Sequence, residues 1–259
     1  MKKRLLSLIT IMALTMTFVM SFAMSYGSTY AASAKKYYLP NEVLITYYGD
    51  DEGTRFYSEI KYDKHDNMKS MLCAEMIPIS VTTKYKNNKG KISSVSLTDT
   101  EEVIKKTFND KGRLTKVKMG KDIYKVTSDK NGIINKVTLN GKKYYKVKSI
   151  KFHKNGFVSK VVYTNGNKNY YNEDGLMTSA VLKNGKKYTY KYTVKNGKVT
   201  KVIVRFDGKK VRKIEYKYSK KSTKDVWQYS CTMCYLSGTS NACELYAKSP
   251  LGVYNDFGW

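Results

Sequence analysis

The residues able to make and break bonds are few and scattered. The four cysteines are Cys73 and a late cluster, Cys231, Cys234 and Cys243. Cys231-x-x-Cys234 has the spacing of a redox pair or of half a zinc site, yet no nearby histidine or second Cys-x-x-Cys completes four ligands. Structural disulfides are therefore favoured over redox chemistry, with metal third. Three pairings are open, and a bridge from Cys73 into the tail would close a longer loop, and so remove more unfolded-state entropy, than Cys231 with Cys234. His65 and His153 each stand beside a lysine in turn-like sequence, outside any Gly-x-Ser-x-Gly or His-Glu-x-x-His frame. Glu101-Glu102 and Glu173-Asp174 are adjacent carboxylates, which a strand would point to opposite faces. Asp50-Asp51-Glu52 lacks the alternating oxygens of a calcium loop and reads as a solvated turn. No catalytic residue, metal ligand or cofactor is nominated, and the expectation is a protein that is not an enzyme.

Charge is the chemistry that remains. Lys and Arg number 48 against 21 Asp and Glu, for a net charge of +27, and only Arg4, Arg55, Arg113, Arg205 and Arg212 are arginine. Compact lysine ammoniums give sequence-independent attraction to phosphate that weakens steeply with salt. The clearest concentration lies where alternation is strict: Tyr188, Tyr190, Tyr192 and Val194 share one face, with Lys187, Thr189, Lys191, Thr193 and Lys195 on the other. Farther on, Arg212, Ile214, Tyr216 and Tyr218 oppose Lys213, Glu215, Lys217 and Ser219. Lys187, Lys191, Lys195, Lys201, Arg205, Lys213 and Lys217 are the candidate polyanion-binding residues. Lysine on exposed strands also discourages edge-to-edge aggregation, so part of the charge serves the fold.

These positions require a regular β lattice, and the sequence supplies one. From 85 to 219 a turn followed by an apolar strand opening recurs at Gly90, Gly112, Gly132, Gly156, Gly175 and Gly197. A second set of turns at Met119-Gly120, Asn140-Gly141, Asn165-Gly166, Asn184-Gly185 and Asp207-Gly208 falls between them, so that each unit is a hairpin. Leu44–Tyr48 and Phe56–Tyr62 read as one more hairpin around the acidic turn. The fold class is all-β: an array of antiparallel hairpins, either an open repeat sheet or a β-solenoid-like stack, in which each unit leans on its neighbours. From Ser222 the rhythm stops. Thr223 can cap, Val226, Trp227, Cys231, Cys234 and Tyr235 recur at helical spacing, Gly238 can end the segment, and Asn241-x-x-Glu244 can cap a second short helix. The tail 222–259 is read as a cap over the open end of the sheet.

Residues 1–34 read as a signal peptide. Lys2, Lys3 and Arg4 precede an apolar run from Leu5 to about Met24, and Ala32-Ser33-Ala34 fits a signal-peptidase site. Cleavage there starts the chain at Lys35 and leaves 24 of the 27 net charges. No later apolar segment is long enough to span a membrane. The division expected is 1–34 signal peptide, 35–221 hairpin repeats, and 222–259 cap or small module.

Phe108-Asn109-Asp110-Lys111-Gly112-Arg113-Leu114-Thr115-Lys116-Val117 resembles the aromatic-Asp-x-x-Gly-Arg-Leu-x-x-Val phrase of the tyrosine-aspartate (YD, or Rhs-type) repeats of secreted and wall-associated bacterial proteins. Tyr62–Met68 and Tyr171–Met177 are looser copies; across the three, Asn109 and Asn172 stand in place of Asp and Asp66 in place of Gly. The resemblance implies a β-shell built of repeats; large members wrap such a shell around a C-terminal toxin, and this chain has fewer repeats and a shorter tail. Tyr170–Met177 is also similar to the Tyr-Tyr-x-x-x-Gly-x-Met phrase of choline- or glucan-binding wall repeats, without their Trp. A strongly positive surface would repel choline.

Two functions follow as expectations. The first is an exported, non-catalytic, surface- or wall-associated protein whose lysine-rich sheet adheres to an anionic wall polymer or other polyanion. The second is a small secreted toxin or enzyme with its activity in the tail. Specific nucleic-acid recognition is disfavoured because arginine is scarce.

Overall fold

The computed structural model describes residues 36–49, 52–73, 77–87, 91–98, 103–144, 146–237 and 242–247. The proposed signal peptide, Asp50, Asp51, Glu101 and Glu102 lie outside them. A meander begins with β1 (Tyr37–Tyr47), β2 (Gly53–Tyr62), β3 (Met68–Cys73), β4 (Ile77–Tyr85) and β5 (Ile92–Thr98). It continues through β6 (Val103–Phe108), β7 (Leu114–Met119), β8 (Asp122–Ser128), β9 (Ile134–Leu139) and β10 (Lys142–Lys143). A second meander holds β11 (Val147–Phe152), β12 (Val158–Tyr163), β13 (Lys168–Tyr171), β14 (Met177–Val181), β15 (Lys187–Lys195), β16 (Lys198–Phe206) and β17 (Lys209–Thr223). Helix α1 (Val226–Ser237) and a 3-10 turn (Ala242–Leu245) follow.

All 17 strands form one antiparallel sheet of successive hairpins, as the all-β reading expects, and its register adds a pairing between the first strand and the last. β1 pairs with β2 on one side and with β17 on the other, from Tyr37↔Thr223 to Tyr47↔Arg212. The ladder therefore runs β11 to β17, then β1, then β2 to β10, and its two margins are the consecutive strands β10 and β11. Laid flat, 17 strands at ~4.8 Å would measure about 77 Å across, whereas a link of three residues reaches about 14 Å at most. The sheet must therefore curl until its margins nearly meet. Counting alternations from β1 in both directions shows that β10 and β11 run the same way. β10 thus pairs with β9, and β11, running in the same direction after Lys146 accepts from Thr164, pairs with β12.

Curling creates an inside, and period-2 patterning fills it. Val43, Ile45, Val95, Val117, Val137, Val202, Val204 and Ile214 point inward and are buried. A second cluster joins Val158, Val161, Tyr163, Tyr171 and Met177 to Leu245 and Tyr246 of the tail. In its described residues the tail is a plug in this interior and not a cover for a free edge, because β17 is paired on both sides. In α1 the five consecutive residues Tyr229 to Met233 are all buried, and the four steps of about 100° between them circle the helix. Thr223 Oγ1 accepts from the Asp225 N–H ahead of the helix.

The plug lies against one row of turns. Leu114 N–H donates to Ala247 O, Ala247 N–H to Gly132 O, and Ala242 N–H to Gly175 O. The Tyr246 hydroxyl accepts from Val158 N–H and donates to Gly156 O. These turns join β6 to β7, β8 to β9, β11 to β12 and β13 to β14, and alternation places all of them at the mouth from which β17 delivers the tail.

The repeated phrase has a physical cause at this mouth. Asn109 Oδ1 accepts from the Lys111 and Arg113 amides, Asp129 Oδ1 from Asn131 and Ile133, Asn172 Oδ1 from Asp174 and Leu176, and Asp63 Oδ1 from His65 and Asn67. Each side chain is thus used as a two-fold acceptor, a role that Asn and Asp fill equally. Asp66 occupies the left-handed position that glycine holds in the other copies, at φ 64°.

Candidate polyanion-binding face

The sequence places the seven candidate basic residues correctly on strands, and registry decides their neighbours. Lys187, Lys191 and Lys195 are exposed along β15. Lys201 and Arg205 are half-buried on β16, where Lys201 faces Thr193 on one side and Glu215 on the other. Lys213 and Lys217 are held in ion pairs at 2.7 Å, with Glu215 and with Glu42 of β1. The hydrogen bond to Glu215 holds the Lys213 ammonium above its ordinary pKa. The face is also interrupted by Ile203 and Leu44, which stand in the same outward set. It is a mixed surface in which two of the seven cations already have carboxylate partners. Val194 departs from the expected pattern as well: a register shift after Thr193 turns it out to 59% exposure.

The structure adds a second basic face on β6 to β10, which the sequence does not reveal because charge alternation shows which way a lysine points but not what stands across from it. Lys105 of β6 is directly opposite Lys118 of β7, and Lys116 of β7 is opposite Lys125 of β8. Lys136 and Lys143 continue this face across β9 and β10, facing Thr127 and Thr138. All six lysines are exposed. The ion pairs among the described residues involve Lys61, Lys86, Lys213, Lys217 and Lys221, and none of these six.

Other lysines support the fold. The Lys210 ammonium lies 3.8 Å from the centre of the Tyr48 ring, and Lys198 stands over both Tyr38 and Tyr218, at 4.5 and 5.7 Å.

The remaining candidates are structural. His153 Nε2 is 2.8 Å from Tyr171 O, tying two neighbouring turns. The His65 ring packs against Tyr85 at 4.6 Å, while the Tyr85 hydroxyl donates to Asp63 Oδ2 and accepts from Asn67 Nδ2 at 2.7 Å. Burial and the Asp63 carboxylate push the Tyr85 hydroxyl pKa up, which keeps this clamp protonated. Asp174 accepts from the Tyr37 hydroxyl at 3.2 Å. Among the described residues no three His, Cys, Asp or Glu side chains gather to hold a metal ion, and no helix is long and apolar enough to cross a membrane.

Cys73 carries a free thiol, so no bridge clamps the repeats to the tail here. The reason is position: Cys73 ends β3, at the mouth opposite the one the plug fills. Cys231 is buried in α1, and the side chains of Cys234 and Cys243 lie outside the described residues.

No family model matches the chain, and no curated protein matches it. Among solved structures, the crystal structure of a TcdB2–TccC3–Cdc42 complex is similar to 63% of this chain at 14% identity, with a TM-score of 0.27. The similarity spans 10% of that larger chain.

Proposed function

We propose that the chain is an exported, non-catalytic protein that adheres, through lysines on the outside of the curled sheet, to an anionic polymer of the cell surface. The observation that carries this reading is the exposed, acid-free lysine set on β6 to β10, superimposed on a net charge of +27. Such a surface attracts polyanions over a range set by ionic strength and needs no shaped pocket. Burial of Tyr229 to Met233 and of Leu236 in α1 supports a plug over an active module in the described part of the tail.

The test is binding of the mature chain, residues 35–259, to cell walls with and without their teichoic acid. Binding at low salt, loss on stripped walls, and release over a modest rise in salt are expected. Equal binding to stripped walls would refute the reading. So would retention in about molar salt, where the Debye length is about 3 Å.

A further inference from the structure

The lysine set on β6 to β10 is unusual for a feature of the sheet alone. Directly opposed like charges destabilise a β ladder, and here two such pairs are adjacent: Lys105 opposite Lys118, and Lys116 opposite Lys125. Lys116 and Lys118 are two residues apart on one strand, so the four ammoniums make a compact quadrilateral. Residues 103–143 contain twelve Lys or Arg against three Asp and no Glu. Each of those three acids is engaged at a turn. Asp110 pairs with Lys86, Asp122 Oδ1 accepts from Asn140 Nδ2 at 2.9 Å, and Asp129 Oδ1 holds its own turn. On β17 and β1, by contrast, Glu215 and Glu42 stand beside the lysines.

We infer that the β6–β10 face is the principal docking surface, and that its partner is a linear phosphate polymer. This rests on the adhesion proposed above and assigns the face and the ligand class. Lysine meets phosphate as a compact point charge, and the two-pronged fork that arginine offers to carboxylate and phosphate alike is engaged elsewhere, because the only arginine in this stretch, Arg113, donates to the carbonyls of Asp129 and Lys130. Thr107, Thr127 and Thr138 stand across from Lys116, Lys136 and Lys125 and add hydroxyl donors of the kind that contact phosphate oxygens. The row Thr107, Lys116, Lys125, Thr138, Lys143 runs along the hydrogen-bonding direction, so successive groups from five strands track one polymer at strand spacing.

The experiment compares the mature chain with K105Q/K116Q/K118Q/K125Q and with K187Q/K191Q/K195Q/K201Q, which removes the same charge from the β15–β16 face. The probe is linear inorganic polyphosphate over a salt series, with poly-glutamate as the carboxylate arm. The first variant should make the slope of log affinity against log salt shallower by about 3, near 0.7 for each lost phosphate contact. The second should change it by less than half as much, and poly-glutamate should bind more weakly than polyphosphate. Equal losses in the two variants, or poly-glutamate bound as tightly, would overturn the assignment while leaving adhesion intact. A wild-type chain that binds neither walls nor polyphosphate would instead remove the adhesion itself. K105E/K125E guards against a folding artefact, because each glutamate then faces a lysine: its melting temperature should hold or rise while polyphosphate binding falls. A variant that binds normally refutes the proposal.

Discussion

Gly175 offers a direct measure of how firmly the plug is seated. It adopts φ +75° in the turn between β13 and β14, and a Cβ there would lie 3.0 Å from Ser230 Oγ and 3.2 Å from the Phe157 ring. Gly185 adopts φ +86° at the opposite mouth with nothing within 4 Å of its Cβ position. Gly185→Ala therefore meets only the left-handed backbone penalty of about 1–2 kcal/mol. Gly175→Ala meets the same penalty and in addition about 1–3 kcal/mol of overpacking against helix and ring. For a chain of this size 1 kcal/mol shifts the melting temperature by about 2–4 °C, so the expected falls are about 2–8 °C for Gly185→Ala and about 4–20 °C for Gly175→Ala. Thermal unfolding followed by circular dichroism reads both. The extra cost should shrink when Gly175→Ala is made together with Ser230→Ala, since removal of Oγ opens the tightest contact. Equal shifts at the two glycines, unaffected by Ser230→Ala, would refute the seating of α1 against this turn.

Two more outcomes follow from the turns and the interior. Asn172→Ala removes an acceptor of two backbone N–H groups and should lower stability by about 1–3 kcal/mol in urea unfolding, while Asn172→Asp stays near wild type; an aspartate as damaging as alanine would refute the acceptor role. Burial pushes the Tyr190 hydroxyl up to about 12 and raises Tyr62, Tyr218 and Tyr229 in the same direction. The folded state therefore holds phenol protons that an unfolded chain releases near pH 10, so stability present below pH 10 should decline toward pH 12, with a shallower decline in Tyr190→Phe. A urea midpoint constant from pH 9 to 11.5 would contradict this.

Local rules were legible in the sequence and long-range closure was not. Asn-Gly and Asp-Gly pairs announce the hairpins at Asn140-Gly141 and Asp207-Gly208, whose residues take the left-handed angles the turns require. The helix after Thr223 is announced by the loss of period-2 patterning. Nothing local marks Tyr37 as the partner of Thr223, because strand pairing across the chain leaves no signal in either strand. The basic faces failed for a related reason. Alternation shows that Lys217 and Lys118 both point out, but only registry places Glu42 beside the first and Lys105 beside the second. Val194 was misplaced because a bulge shifts the face and carries no residue signature.

The pairing of β1 with β17 sets a delay in folding. Tyr47 must wait for Arg212, and at about 5–20 residues per second of synthesis the intervening chain takes roughly 8–33 s to appear. Throughout that interval β1, whose sequence Tyr-Tyr-Leu-Pro-Asn-Glu-Val-Leu-Ile-Thr-Tyr contains no lysine, keeps one backbone edge open. Its protection is built into the middle of the strand. Pro40 has no N–H to offer an intruding chain, the register slips on both sides of it, and Glu42 repels a second copy laid antiparallel at the same place. The irregularity that β17 later accommodates is thus what keeps the nascent sheet from closing on a neighbour instead of on itself.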